Sequence, residues 1–473
     1  MLAENFDYDM AVIGGGSGGY AAARTAAAAG KKVVVIDGAD ELGGLCILRG
    51  CMPSKALIES ANRNLAMRES EEFGLSHENA KVDMRTVIER KRYLIKDFSD
   101  YRAEQLQDGR FDLLRGFARF TDAHHLEVQL KESGAMESLS ARTIIVATGS
   151  SIFVPEIEGL QDCGYITSDD ILDMQELPDS IVVLGGGAIA LEMAHYLEGL
   201  GKEVTVVQRS PHLLTGMDTD LADELEAALT ARTMKIHTGT SLQRFEPSSA
   251  GKKRVVFVRD GEEEVVEADE ILLALGRVPN TVGMQLEQAG VELNKRGGIV
   301  VNQQMQSSIP HILACGDVCS PYELVHIAIE QGELAAENAM SLMSDQAAQL
   351  NEIDYRLKLY GIFTEPQVAA VGLSEAEVRA SGIEPLVETH PFNDHGKSMI
   401  HGSKYGFVKL IGDPTTKEIL GGSVVGPEAV ELIHEIVVAM AFRATANQLA
   451  KIPHYHPTLS EIWTYPAEEI ADA

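Results

Sequence analysis

The chain has 473 residues and a formal net charge of −31, length enough for about three domains at ~150 residues each. Such acidity lacks the basic footprint of a nucleic-acid-binding protein. Its apolar runs, such as Ile181–Leu184 and Ile436–Phe442, fall well short of the ~20 residues that span a bilayer. The opening residues Met1–Asp7 show no basic-then-apolar leader, and five cysteines in so long a chain make no disulfide framework. These features together point to a cytoplasmic globular protein. The acidity reads as a solubility trait, with steering of a basic partner as the alternative.

Tyr8–Ile13 reads as a β-strand. Gly14, Gly16 and Gly19 follow in a tight turn, then an alanine-rich helix over Tyr20–Ala29 and a second strand, Lys32–Ile36, that ends in Asp37. This is G-x-G-x-x-G with an acid about 20 residues on, inside a βαβ unit. The glycines let a pyrophosphate approach a helix N-terminus, and the acid accepts ribose hydroxyls. Next come Cys46 and Cys51, separated by Ile-Leu-Arg-Gly and followed by Met-Pro-Ser-Lys55. A cysteine pair beside a βαβ pattern reads as redox chemistry. A zinc site needs about four ligands, and no second pair or neighbouring histidine completes one, so no metal is expected.

Thr143–Ser150 reads as a buried strand ending in a small-residue turn at Thr148 and Gly149. The opening pattern then recurs: strand Ile181–Leu184, turn Gly185-Gly186-Gly187, a helix from Leu191, and strand Glu203–Val207. Two such units imply two dinucleotides. Where an acid would select NAD through its 2′-hydroxyl, this chain carries Gln208 and Arg209. Arg209, and Ala190 in the third glycine's place, lean toward NADP, whereas Thr215 stands where NADP enzymes often place another arginine, which leaves the cofactor as NAD(P). Ile271–Leu275 runs into Gly276-Arg277, and Ile309–Gly316 into Asp317. From about Asn351, short β-prone runs such as Gly406–Ile411 and Leu420–Val425 alternate with helices, as in an α+β domain.

Together these motifs closely resemble the FAD-dependent pyridine nucleotide–disulfide oxidoreductases. The Cys46–Lys55 run and His456-Pro457-Thr458-Leu459-Ser460-Glu461 are the most specific parts. The resemblance implies two Rossmann-like dinucleotide-binding domains, for FAD and NAD(P), and a C-terminal α+β dimerisation domain. The boundaries expected are 1–150 and 281–350 for the FAD-binding and central parts, 151–280 for NAD(P), and 351–473 for dimerisation.

Carried over residue by residue, it places Gly14, Gly16, Gly19 and Asp37 on the FAD pyrophosphate and ribose, and Asp317 on the ribityl chain. Thr148, Gly149, Gly185, Gly187, Gln208, Arg209 and Gly276 join the cofactor-binding set. Cys46 is implied as the interchange thiol and Cys51 as the thiol against the flavin. Lys55 would pair with Glu192 near the flavin ring. His456 resembles the general base and Glu461 its orienting carboxylate, since a thiol of pKa ~8.5 needs a base near neutrality to become a nucleophile. The family also implies a homodimer in which the C-terminal histidine of one subunit completes the other's site.

Within the family the match is nearest to the dihydrolipoamide dehydrogenases, which implies a free or protein-bound lipoyl dithiol as substrate. Mercuric reductases carry a C-terminal cysteine pair that is missing here. Arg24 stands where glutathione reductases hold a tripeptide carboxylate, so a low-molecular-weight disulfide is the alternative substrate. A docked redox-sensing subunit with little turnover is the alternative of another class. Cys315 and Cys319 read as small residues packed beside the flavin site, Cys163 as a lone thiol, and His454 is given no role.

Overall fold

The computed structural model describes residues 5–76, 81–248, 251–344 and 349–473. The first four residues of the opening segment searched for a leader lie outside them. The chain divides into two compact units, Met1–Ala56 with Glu89–Phe153 and Gly276–Asp354, and Leu57–Ile88 with Val154–Leu275 and Tyr355–Ala473. No helix of the described residues is long and apolar enough to cross a membrane.

In the first unit, parallel strands run in the order Asp112–Leu114, Val33–Ile36, Tyr8–Ile13 and Met136–Val146, with Ile312–Ala314 on the far side of the last. Such strands are covered on both faces and are therefore continuously apolar. Val33–Ile36 is buried at every position. Met136–Val146 is longer than the sequence suggested because it serves two sheets. Its outer half pairs antiparallel with His125–Leu130 and its inner half parallel with Tyr8–Ile13. The outer residues Met136–Ser138 are exposed and carry no apolar signal.

The first helix spans Ser17–Ala28, starting three residues earlier than its alanine run suggested. Gly18 and Gly19 lie inside it for packing reasons. A Cβ on Gly19 would collide with the Gly14 carbonyl, and one on Gly18 would sit 2.9 Å from the Ala328 oxygen.

In the second unit a parallel sheet runs Lys235–His237, Glu203–Val207, Ser180–Leu184, Glu270–Leu273 and Ile166–Thr167. A three-stranded antiparallel sheet is formed by Ser241–Pro247, Lys253–Arg259 and Glu262–Ala268. The C-terminal portion is a five-stranded antiparallel sheet, Leu359–Ile362, Gln367–Gly372, Ile419–Gly426, Phe407–Gly412 and Leu386–Pro391. Helices Ala429–Ala441 and Thr464–Asp472 pack on it, around Phe392, Ile433, Ile436 and Trp463.

Helix Ala188–Gly199 is buried from Ala190 to its end, so its His195 needs partners. Arg232 Nη2 donates to His195 Nδ1 at 3.0 Å, which leaves the proton on Nε2 to be donated to Asn62 Oδ1 at 2.6 Å. A second proton would face the guanidinium. Burial, and then the Arg232 charge, push the imidazole pKa down to about 3. The folded value lies below the unfolded one, so this stabilisation is complete above pH ~6.5 and is lost as pH falls, by up to ~1.4 kcal/mol per unit. His195→Gln is therefore expected to lower Tm at pH 7 and to shrink the drop in Tm between pH 7 and pH 5. An unchanged acid drop, measured by scanning calorimetry, would remove His195 from the acid sensitivity.

Candidate active site

The turn after the first strand is built so that a backbone can be approached closely. Gly14 has φ +107°, and a Cβ there would collide with the Ala147 carbonyl. Gly16 caps the helix Ser17–Ala28 in an extended conformation, with no side-chain cap and no acid in the first turn. Its leading N–H groups are thus left for an anion. Asp37 accepts from Gly15 N at 2.8 Å and from Ala39 N at 2.9 Å. The carboxylate is pinned at the edge of the turn, where a ribose would lie.

The thiols are set on this turn by two more glycines. Gly43 and Gly44 have φ +145° and +74°, and a Cβ on Gly44 would fall 2.6 Å from Gly16 Cα. The short helix Gly44–Leu48 carries Cys46, and Cys51 opens the helix Cys51–Arg68. Hydrogen bonding to Cys51, then burial, push the Cys46 thiol up, while the Lys55 charge pulls the other way. Cys51 sits at the N-terminus of a long helix, a position that favours thiolate. The two thiols therefore sit in different electrostatic environments.

The second turn repeats the first. Gly185 has φ +117°, and its Cβ would collide with the Ala274 carbonyl. Gly187 caps Ala188–Gly199 without a side-chain cap, and nothing lies within 4 Å of where its Cβ would be. Glu192, on that helix, is 4% exposed and accepts from Phe363 N at 3.2 Å. Gln208 Oε1 accepts from Arg209 N at 3.1 Å, beyond the end of Glu203–Val207.

Thr148 and Gly149 lie beside the strand Arg277–Pro279. Thr148 Oγ1 donates to Asn280 O at 2.7 Å, Asn280 N to Gly149 O at 2.9 Å. Gly276, at φ +111°, precedes that strand. Asp317 accepts from Ser150 Oγ at 2.6 Å, and Arg277 Nε donates to the same hydroxyl at 2.8 Å.

Near the C-terminus, His456 Nδ1 lies 3.0 Å from Glu461 Oε2. The His456 side chain is 80% exposed and Glu461 only 14%. Burial alone would raise the Glu461 carboxyl, but its hydrogen bond to His456 and the charge there hold it below its ordinary range. The dyad leaves Nε2 of His456 outward and free to take a proton. His454 Nε2 lies 2.6 Å from Glu435, a separate pair.

Residues 8–332 match the family model described as pyridine nucleotide-disulphide oxidoreductase, and residues 360–467 match that family's dimerisation domain. A dihydrolipoyl dehydrogenase of Thermus scotoductus is 36% identical over 462 residues, covering 96% of this chain and 95% of its own. One from Bacillus subtilis is 32% identical over 464 residues, 96% of each chain. A mercuric reductase of Staphylococcus aureus is 30% identical over 94% of this chain and 79% of its own. The chain belongs to the pyridine nucleotide–disulfide oxidoreductase family.

The cofactors of this oxidoreductase are accordingly FAD and a nicotinamide dinucleotide, and the two uncapped helix N-termini behind collision-tight glycines fit two such groups. Three neighbours of the site carry no sequence motif. Arg277 braces Ser150 against Asp317. Arg102 lies over the Tyr20 ring, 4.1 Å from its centroid. His395 reaches Glu461 from behind. Arg24, by contrast, is ion-paired with Glu333. Cys315 and Cys319 are buried or partly buried among apolar groups, and burial pushes both thiols up.

Gly19→Ala is expected to purify with little bound flavin, because its methyl group forces the helix off Gly14. Gly187→Ala, with open space at that Cβ, should stay yellow. Full flavin absorbance in Gly19→Ala would show that the turn tolerates the shift.

Proposed function

We propose that the protein is a dihydrolipoyl dehydrogenase, oxidising a free or protein-bound dihydrolipoyl dithiol at the expense of NAD(P)⁺. The observation that carries this is the Cys46–Cys51 pair, one thiol at a helix N-terminus and both set against a dinucleotide-type glycine turn. Near-full-length similarity to dihydrolipoyl dehydrogenases supports it. In this reading Gly14, Gly16, Gly19, Asp37, Thr148, Gly149 and Asp317 serve FAD, within 1–150 and 281–350. Gly185, Gly187, Gln208, Arg209 and Gly276 serve the nicotinamide dinucleotide, centred on 151–280. Lys55 and Glu192 flank the flavin ring.

Glu461 holds Nδ1–H of His456, so that Nε2 accepts the proton of the first substrate thiol. The resulting thiolate attacks Cys46 of the oxidised Cys46–Cys51 pair, forming a mixed disulfide and releasing Cys51 as thiolate. The second substrate thiol then displaces Cys46, which leaves protonated, and the substrate departs as its cyclic disulfide. Bound FAD supplies the two-electron relay from the reduced pair to NAD(P)⁺.

The protein also reads as a homodimer through residues 351–473, in which His456 of the partner subunit meets Cys46. The match to a dimerisation domain supports this, as do exposed apolar groups there, Val438, Phe442, Ile452 and Tyr455. The Arg24–Glu333 pair favours a lipoyl arm over glutathione, since that guanidinium already has a carboxylate.

The test is a substrate panel of dihydrolipoamide, glutathione disulfide and mercuric ion with both nucleotides. Dihydrolipoamide should lead in kcat/KM by roughly 10²-fold or more, because a thin apolar arm does not need the charged partners that glutathione demands. His456→Gln should slow the dithiol half-reaction by about 10²–10⁴-fold and spare reduction by NAD(P)H. Preferred turnover of glutathione disulfide or mercuric ion would overturn the substrate assignment. Reducible flavin with negligible turnover of all three would favour a sensing role.

A further inference from the structure

The carboxylate behind the base has two oxygens, and the second is not idle. Glu461 Oε1 lies 3.4 Å from Nε2 of His395, a side chain only 1% exposed. His395 stands between the short turn Phe392–Asp394 and the helix Gly396–His401. Its Nδ1 lies 2.7 Å from the hydroxyl of the fully buried Ser398. Its Nε2 is buried and makes no hydrogen bond among the described residues, so the Glu461 oxygen it faces at 3.4 Å lies just beyond ordinary hydrogen-bond length. The tautomer follows. With Ser398 Oγ donating to Nδ1, the ring proton sits on Nε2 and faces the carboxylate. The other tautomer would set a lone pair against a negative oxygen.

We infer that His395 is a positioning residue for the thiol chemistry, donating from Nε2 to Glu461 so that one carboxylate is divided between a buried histidine and the exposed base His456. The inference rests on the reading of His456 as that base. Ser398, His395, Glu461 and His456 then form one relay running from the core to the surface.

The relay has two consequences. A carboxylate held at both oxygens cannot swing, so Oε2 stays on His456 Nδ1 and the ring keeps its orientation. A hydrogen bond to the charged form also lowers a carboxylate's basicity. With His395 in place, Glu461 stabilises the His456 imidazolium less than a lone carboxylate would. On this inference, removing His395 would let the carboxylate hold a proton on His456 more strongly.

The surroundings disfavour a second proton on His395. Burial pushes its pKa down against the pull of Glu461, and the charges of His390 and His456 push the same way as burial. Tyr465, from the last helix, presents its edge to His395 and its face to His390. On the strand Leu386–Pro391 and that helix, Glu388 and Glu469 hydrogen-bond to each other. Glu468 shares the helix and is exposed. Asp394, Lys397 and His401, on the segment of His395 itself, are exposed or half-buried.

The experiment is the pH dependence of kcat/KM for dihydrolipoamide in the FAD-loaded enzyme, alongside titration of the His456 ring by NMR with labelled histidine. His395→Leu removes the donor. It should move the acid limb, and the His456 titration, to higher pH by about half to one unit, as expected for losing one hydrogen bond to a carboxylate. His395→Gln, whose amide can donate, should return both toward wild type. Ser398→Ala frees the tautomer and should shift them in the same direction by less, which decides the matter if His395→Leu does not fold.

A lowered Tm in His395→Leu with an unmoved limb and unmoved titration would overturn the inference and leave a packing role. Equal losses in the Leu and Gln variants would do the same. The two readings fail differently. If wild type shows no limb that His456→Gln abolishes, the base assignment falls and this inference with it. If that limb exists and ignores His395, only the inference falls.

Discussion

Both nucleotide-type turns of this protein depend on one collision avoided twice. After the first strand of each parallel sheet, the chain turns into a helix so tightly that a Cβ on Gly14 or Gly185 would strike the carbonyl of the neighbouring strand, at Ala147 or Ala274. That closeness aims an uncapped helix N-terminus at the space beyond the strand ends, where backbone N–H groups and the helix dipole favour phosphate. The turns differ in one respect. Gly19 cannot bear a methyl group against Gly14, whereas Ala190 stands in the equivalent place 3.5 Å from the Cβ position of Gly185.

The first turn also positions the thiols. Gly44 lies backbone to backbone against Gly16, so the dithiol is registered to the same feature that receives a dinucleotide. Electrostatics then separates two chemically identical groups. Cys51 stands at a helix N-terminus, while the hydrogen bond to Cys51 together with burial pushes the Cys46 thiol up. A comparable arrangement stands at the other end of the chain, where one half-buried carboxylate lies between an exposed and a buried histidine. Pairs whose environments push proton affinities apart are how a site assigns acid and base roles.

What the sequence disclosed follows from how local each signal is. The βαβ units, the cysteine pair and the His456–Glu461 spacing are contiguous, and a contiguous motif fixes its own geometry. Helix Ser17–Ala28 begins ahead of its alanine run because Gly18 and Gly19, which resemble turn residues in sequence, are helical and kept small by Ala328 and Gly14 packed on them. The outer half of Met136–Val146 was missed because its residues face solvent. Arg277, Arg102 and His395 could not be found at all. Each acts through a partner remote in sequence, Asp317 by way of Ser150, Tyr20, and Glu461, and no periodicity marks such a pairing. Arg24 shows the reverse: its position suggested a ligand contact, while Glu333, from a distant helix, occupies it.

The division of labour between the two thiols is tested most directly by visible spectra of the flavin-loaded Cys46→Ser and Cys51→Ser proteins without added reductant. With Cys51 as the thiolate against the flavin, Cys46→Ser should show a long-wavelength thiolate–flavin charge-transfer band that persists on titration well below the ordinary thiol pKa of ~8.5, and Cys51→Ser should show none. The opposite pattern, or two variants indistinguishable from wild type, would contradict the assignment of both cysteines.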